Sequence, residues 1–308
     1  MLNKANPFLK SWGLLILLSC IWGSSFILMK KGMFTADEKP IFSAVQVGTL
    51  RMLIASTVLL PIAVRALYQL KNKRNLVFFA VVGVCGNFIP AFLFTYAETG
   101  ISSGLAGMLN SLTPIFTLLV GLLFFRQKLT VLQVVGSIIG TLGITALVYT
   151  GKNSSQDGDL LPVFAIVLAT FLYGISLNTI KNKLQEYPSM HISATALSLI
   201  FVPALIVFFL SKTPQTIQQN PHAWEGLVAI SILAVIGTAI AVIIYNSMIR
   251  ASSTLFASSV TYFIPFVAIG IGTYYGEEIT FGQVGSMVIV LVGVVLANYG
   301  QKIFGRKD

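Results

Sequence analysis

Apolar runs of about twenty residues recur along the chain, and the short segments between them hold most of the charge. The runs predict ten helices, near residues 11–30, 42–64, 76–97, 102–124, 130–150, 160–182, 191–211, 225–248, 252–275 and 281–301. About 20 apolar residues is the length an α-helix needs to cross a bilayer. The runs are continuous and do not alternate, which excludes a membrane barrel with its strands of about ten residues.

The pattern also repeats. Ser102–Gly143 and Ser252–Gly293 each hold an apolar run with an internal proline, a polar hinge and a second apolar run. Pro114 recurs at Pro265, Thr130 at Thr280, Gln133 at Gln283 and Gly143 at Gly293, at offsets of 150 or 151. Trp22-Gly23-Ser24-Ser25 matches Tyr173-Gly174-Ile175-Ser176, and Lys30 matches Lys181, at 151. Self-similarity over half the chain predicts two copies of one unit. They are residues 1–151 and 160–308, joined by the polar linker 152–159.

Composition narrows the solvent. Charged residues make up 10% of the chain and mean hydropathy is +0.85. A soluble domain carries about 25% charged residues, so the surface must be solvated by lipid. The net charge of +10 raises nucleic acid as a partner, but the cations sit between apolar runs. That distribution suits membrane orientation, and no nucleic-acid partner is expected. Cys20 and Cys85 lie within apolar runs and read as small hydrophobes. The first run follows Lys4 and Lys10 as a signal peptide would, but no small-x-small site follows it. Lys30 and Lys31 end it, so it reads as a permanent span.

With the N-terminus inside, fourteen Lys and Arg fall on inner segments and five on outer ones. That excess predicts both termini in the cytoplasm. Five spans per half is an odd number, so the second half enters the membrane from the opposite side. Two such halves form an inverted repeat, the symmetry of many secondary transporters. The fold class expected is therefore an all-α polytopic membrane protein, ten transmembrane helices in two five-helix inverted repeats.

Several motifs in this order carry a resemblance. They are Trp22-Gly23-Ser24-Ser25-Phe26, Leu50-Arg51, Leu109-Asn110 with Pro114-Ile115-Phe116, and the hinge Gly276-Glu277-Glu278-Ile279-Thr280. Together they resemble the drug/metabolite transporter superfamily, specifically its EamA-type ten-helix permeases. The resemblance implies a multi-pass carrier of the bacterial inner membrane, usually an exporter of amino acids, nucleobase-like metabolites or toxic compounds. One departure stands out. The first-half hinge of the family usually holds an acid, and here it reads Arg126-Gln127-Lys128.

Polar groups at membrane depth are the candidate site. Arg51 lies about ten residues into the second run. A guanidinium at the bilayer centre costs about 2.5 kcal/mol or more, so it must face protein or water. It reads as a fork for a substrate carboxylate or as a structural tie to carbonyls. Trp22 and Tyr173, related by the repeat, could wall a cavity from opposite sides. Ser25, Asn87, Asn110, Asn178 and Tyr262 complete the substrate-binding candidates, with Ser24, Ser176, Ser258 and Ser259 also at depth. Singly each could be interhelical glue; as a set they suggest a polar cavity between the halves. Pro114 and Pro265 are the candidate hinges, because each removes the amide that would bond the carbonyl four residues back, of Asn110 and Thr261. Glycines 100, 104, 136, 140, 272 and 276 read as close-approach points between helices.

No Asp or Glu lies deep in any run, which leaves proton coupling without a buried carboxylate to carry it. Paired carboxylates, metal-ligand spacing and an activated nucleophile are also missing, so neither an enzyme nor a metal or cofactor is expected. The expected function is an alternating-access permease for small metabolites, exporting amino acids or similar amphiphiles. Import by the same architecture is one alternative; a membrane scaffold or lipid-handling protein is another. The expected partners are a small-molecule substrate and the bilayer, and a monomer suffices.

Overall fold

A computed structural model describes residues 7–68, 72–127, 130–151, 160–251 and 260–304. The linker 152–159, Ser252, Ser253, Ser258, Ser259, Lys4, Lys71, Lys128 and the C-terminal Arg306-Lys307-Asp308 lie outside these residues. The described chain is helical, apart from one antiparallel bridge between Phe34 and Pro40.

In the first half, α1 is Pro7–Met33 and α2 is Ala44–Tyr68. The third run is α3, Leu76–Gly83, and α4, Ile89–Ala97, joined by a π-helical turn at Val84–Phe88. The fourth is α5, Ser103–Asn110, and α6, Thr113–Phe125; α7 is Val131–Gly151. In the second half, α8 is Leu161–Lys183, followed by α9, Ser189–Leu199, and α10, Phe201–Leu210. A short helix not expected from the sequence, α11, Thr213–Gln219, follows. Next come α12, Ala223–Ala234, and α13, Ala241–Ala251, with a second π-helical turn between them at Val235–Ile240. The chain ends with α14, Val260–Tyr274, and α15, Phe281–Phe304.

Each of the ten predicted ranges is thus met by helix where it is described. Seven of the helical segments are long and apolar enough to cross a membrane, and three shorter apolar helices accompany them: Val131–Leu147, Val260–Tyr274 and Phe281–Ala297. Leu123, Phe124, Phe209 and Leu210 face outward and exposed, which a lipid-solvated bundle tolerates and a water-solvated one does not.

Helices that are equivalent under the repeat pack against each other, and they run antiparallel. On the α7–α15 pair, Gly136 faces Gly293 and Ala297, Gly143 faces Val290, and Gly282 faces Thr150. On the α2–α9 pair, the Ser56 hydroxyl donates to the Leu197 carbonyl at 2.7 Å. Farther toward the start of α2, Gln46 donates to the Ser211 carbonyl at 2.9 Å. On the α5–α14 pair, Gly104 meets Ile269 and Gly107 meets Ala268. In all three pairs one residue number rises as the other falls. Equivalent helices that cross antiparallel place the twofold axis perpendicular to the helices, which is an inverted repeat. Contacts between the halves obey the same exchange: α1 packs on α14 as α8 packs on α6, α3 packs on α8 as α12 packs on α1, and α4 packs on α8 as α13 packs on α1.

The matching polar residues have matching work. The Thr130 amide donates to Gln133 Oε1 at 2.8 Å, and the Thr280 amide donates to Gln283 Oε1 at 2.8 Å. The Gln133 and Gln283 amides return bonds to the two threonine hydroxyls. Each is a capping box that satisfies the orphan amides starting α7 and α15. At the preceding hinges Gly276 has φ +87° and its counterpart Arg126 has φ +52°, so a non-glycine takes the left-handed turn in the first half.

The glycine expectation splits. Gly136 and Gly140 do permit backbone approach to α15. Gly272 serves the hinge instead, leaving room for the Glu277 side chain that folds over it. Because a Cβ on Gly293 would strike the Gly140 amide and the Gly136 carbonyl, Gly293→Leu should destabilise the protein by about 1–3 kcal/mol. Gly285, with open space around its position, is the control. Unfolding midpoints in detergent check this: Gly285→Leu should match the parent and Gly293→Leu should fall well below it.

Candidate functional site

A cavity lies between the two halves, with about 140 Å³ reachable by the centre of a water. One water needs about 10–15 Å³ on that measure, so the space suits a small metabolite. Twenty of its lining residues form ten pairs related by the offset of 151. Among these pairs are Trp22 with Tyr173, Ser25 with Ser176, Gly86 with Gly237, Asn87 with Thr238, Phe94 with Tyr245 and Asn110 with Thr261. The cavity straddles the twofold axis.

The two π-helical turns shape it. They sit at equivalent positions, 84–88 and 235–240. A π turn fits an extra residue into the helix and recurs at functional sites. Here it brings Gly86 and Gly237 to the cavity wall. A Cβ on Gly86 would strike Ser176 Oγ, and one on Gly237 would lie 3.0 Å from Ser25 Oγ, so each serine of one half packs against the glycine of the other. The side chain following each glycine reaches back five residues: Asn87 Nδ2 donates to the Val82 carbonyl at 3.4 Å, and the Thr238 hydroxyl to the Leu233 carbonyl at 3.3 Å. Trp22 Nε1 donates to the Gly237 carbonyl at 3.1 Å, which joins α1 to the second π turn.

The aromatic walls are doubled as well. Trp22 packs edge-on against Tyr245 with centroids 5.0 Å apart, and Tyr173 stacks on Phe94 at 5.9 Å. Each expected ring therefore pairs with an aromatic of the other half. Tyr245 and the eighth predicted span, which also contributes Thr238 and Asn246, were missed by sequence reasoning. The signal was present: adding 151 to Asn87 and Phe94 leads to Thr238 and Tyr245.

Arg51 breaks the symmetry. Its Nε donates to the Thr238 hydroxyl at 2.8 Å, and Nη1 lies 3.9 Å from the Met29 sulfur. Among the described residues the ion pairs are Lys30–Glu277 and His222–Glu225, so this guanidinium has no carboxylate. It lines the cavity with donors to spare.

Of the candidates, Trp22, Ser25, Arg51, Asn87, Asn110 and Tyr173 meet at the cavity. Asn178 and Tyr262 lie outside it. The Asn178 amide donates to the Thr117 carbonyl at 2.8 Å and the Gly174 carbonyl at 2.9 Å, and accepts from Gln127 at 3.1 Å. It is a tie between α8 and α6. Tyr262 is buried in the seam between α14 and α15, with its hydroxyl 3.4 Å from the Val294 carbonyl. Pro114 does break its run, between α5 and α6. The Asn110 carbonyl it releases is not left open, because the Thr113 hydroxyl donates to it at 2.8 Å. Pro265 lies inside continuous α14.

Two inverted helical repeats closing on a symmetric, mid-bundle cavity that mixes apolar walls with a few polar groups define a membrane carrier. The model of the EamA-like transporter family matches residues 10–149 and again 160–299, and the chain belongs to that family. It is a multi-pass inner membrane protein and not an enzyme. An uncharacterized inner membrane transporter of Escherichia coli, YedA, is 26% identical over 99% of this chain and 95% of its own length. A probable amino-acid metabolite efflux pump of Salmonella typhimurium is 22% identical over 94% of this chain and 95% of its own. A probable terminal-alkyne amino-acid exporter of Streptantibioticus cattleyicolor is 21% identical over 95% and 94%. One crystal structure superposes on 96% of this chain and 99% of its own with a TM-score of 0.65 at 12% identity, which shows the fold alone.

Trp22→Phe keeps the ring contact and removes the bond to the Gly237 carbonyl. The expected cost is about 0.5–1.5 kcal/mol, read as a lower unfolding midpoint in detergent; an unchanged midpoint would show that water replaces the indole without loss.

Proposed function

We propose that the chain is an alternating-access carrier that exports small amphiphilic metabolites bearing a carboxylate, amino acids among them. One observation supports this most. The cavity holds a half-buried guanidinium without a carboxylate among the described residues, flanked by aromatic walls. A charge taken out of water costs several kcal/mol unless it is paired, and a substrate carboxylate would supply the pair through a two-bonded fork. Asn87, Asn110, Ser25 and Ser176 offer oxygens to an ammonium, and among the described residues no Asp or Glu lines the cavity. Trp22 and Tyr173 would cover the apolar part.

The inverted repeat supports the mechanism. Exchanging the conformations of the two halves turns a cavity open to one side into one open to the other at similar energy. Ten membrane crossings and cytoplasmic termini are the topology that the charge count favours. The names of the Salmonella and Streptantibioticus relatives support export of amino-acid-like compounds.

Uptake of labelled amino acids into proteoliposomes tests the substrate class. At least one carboxylate-bearing compound should move, and its carboxamide analogue should not. Arg51→Lys keeps the charge and loses the fork, so flux should drop about tenfold or more, from the roughly 1.5–3 kcal/mol carried by a charged hydrogen bond. Parental flux in Arg51→Lys, or equal flux of acid and amide, removes the carboxylate from the account.

A further inference from the structure

At the Lys30 end of the cavity the chain buries a second acid. Glu98 follows α4, is 3% exposed, and has one carboxyl oxygen, Oε1, with no hydrogen-bond partner. Its other oxygen accepts from the Ser103 hydroxyl at 2.9 Å. The neighbouring cation is already committed: Lys30 Nζ lies 2.6 Å from Glu277 Oε1. Glu277 also accepts from the amides of Ser103 at 2.9 Å and Gly104 at 3.0 Å, which open α5. Lys30 on α1, Ser103 on α5 and Glu277 in the α14–α15 hinge thus converge on Glu98 from three elements, two of the first half and one of the second. The charged groups bearing on it are Lys30 and Glu277.

We propose that Glu98 is a proton-binding site that couples closure of this mouth to uptake of a proton from the solution on the Lys30 side. A buried carboxylate with a dry oxygen beside a second carboxylate is unstable, whereas a carboxylic acid there loses little. Opening the mouth separates the hinge from α5, wets Glu98 and releases its proton. The inference rests on the alternating-access reading above, and it adds the buried acid that the sequence did not reveal.

The direction of the effect follows. Burial first, and then the Glu277 charge, push the Glu98 carboxyl from 4.5 up to about 8, against Lys30 and the Ser103 hydroxyl, which pull it down. Burial alone would raise Glu277 too. The Lys30 hydrogen bond and charge and the two α5 amides outweigh it and hold Glu277 below the usual carboxylate value. The closed mouth therefore has its full advantage below the exposed Glu98 value of 4.5 and loses it as pH rises through about 8. Within that window the closed-to-open ratio should fall by up to about tenfold per pH unit.

Infrared titration of the full chain in nanodiscs reads the proton directly. The C=O band of a protonated carboxylic acid should disappear with a midpoint near pH 8, and it should be absent in Glu98→Gln. Ser103→Ala, which removes a donor to the ionised form, should raise the midpoint. The gate is read by thiol labelling of Ser25→Cys, with Cys20 and Cys85 replaced, from the Lys30 side. Divided by the rate of an exposed reference cysteine at the same pH, which cancels the thiolate fraction, labelling should speed up as pH rises and be flat and slow in Glu98→Gln. Absence of the band overturns the proton site. A band with pH-independent labelling overturns the coupling. If Ser25→Cys reacts from neither side while the band is present, the carrier reading falls, and the coupling with it.

Discussion

Hydrocarbon offers no hydrogen bonds, so a membrane chain must satisfy each of its own backbone and side-chain polar groups. That constraint governs how this fold makes a polar space at depth. It widens two helices by one residue each, at 84–88 and 235–240, and brings a glycine of each to the wall. The side chain after each glycine then reaches back to a carbonyl of its own helix, and Trp22 takes the carbonyl of Gly237. Helical geometry is displaced where polar groups reach the cavity, and the Gly237 carbonyl and the Asn87 and Thr238 side chains each have a partner there.

The symmetry has a functional meaning and so do its breaks. Ten matched pairs make the two cavity walls near-copies, as two access states of similar energy would require. Arg51 has no equivalent and gives the cavity one charge. The hinges differ too: Glu277 closes on Lys30 and on the start of α5, while its counterpart Gln127 meets the neutral Asn178. One end of the molecule is latched by charge. At the other end the corresponding contact is between two amides.

Much of the architecture was legible because it is written at a scale the sequence shows directly. Apolar run length gives the helices, and the offset of Pro114 to Pro265 and Lys30 to Lys181 gives the repeat. The site was half legible. Depth along a run is readable but rotation about the helix axis is not, so Tyr262 shares the depth of Asn110 yet points elsewhere; Asn178 lies near the end of its run, where it meets the Gln127 hinge. The π turns leave no trace in hydropathy, since one extra residue does not alter an already apolar run. Glu98 falls just past the third run, 76–97, where a carboxylate should be wet; packing of the loop after α4 under the Glu277 hinge dries it.

The central claim is that the two halves rearrange reciprocally about a shared cavity. Distances between spin labels at Tyr96 and Tyr274, near the Lys30 end, and at their repeat equivalents Ser247 and Leu123 test it most directly. All four positions are exposed. The account predicts two populations in which one pair is long while the other is short, exchanging as substrate or pH is varied. A single fixed distance for both pairs, or both lengthening together, would contradict it.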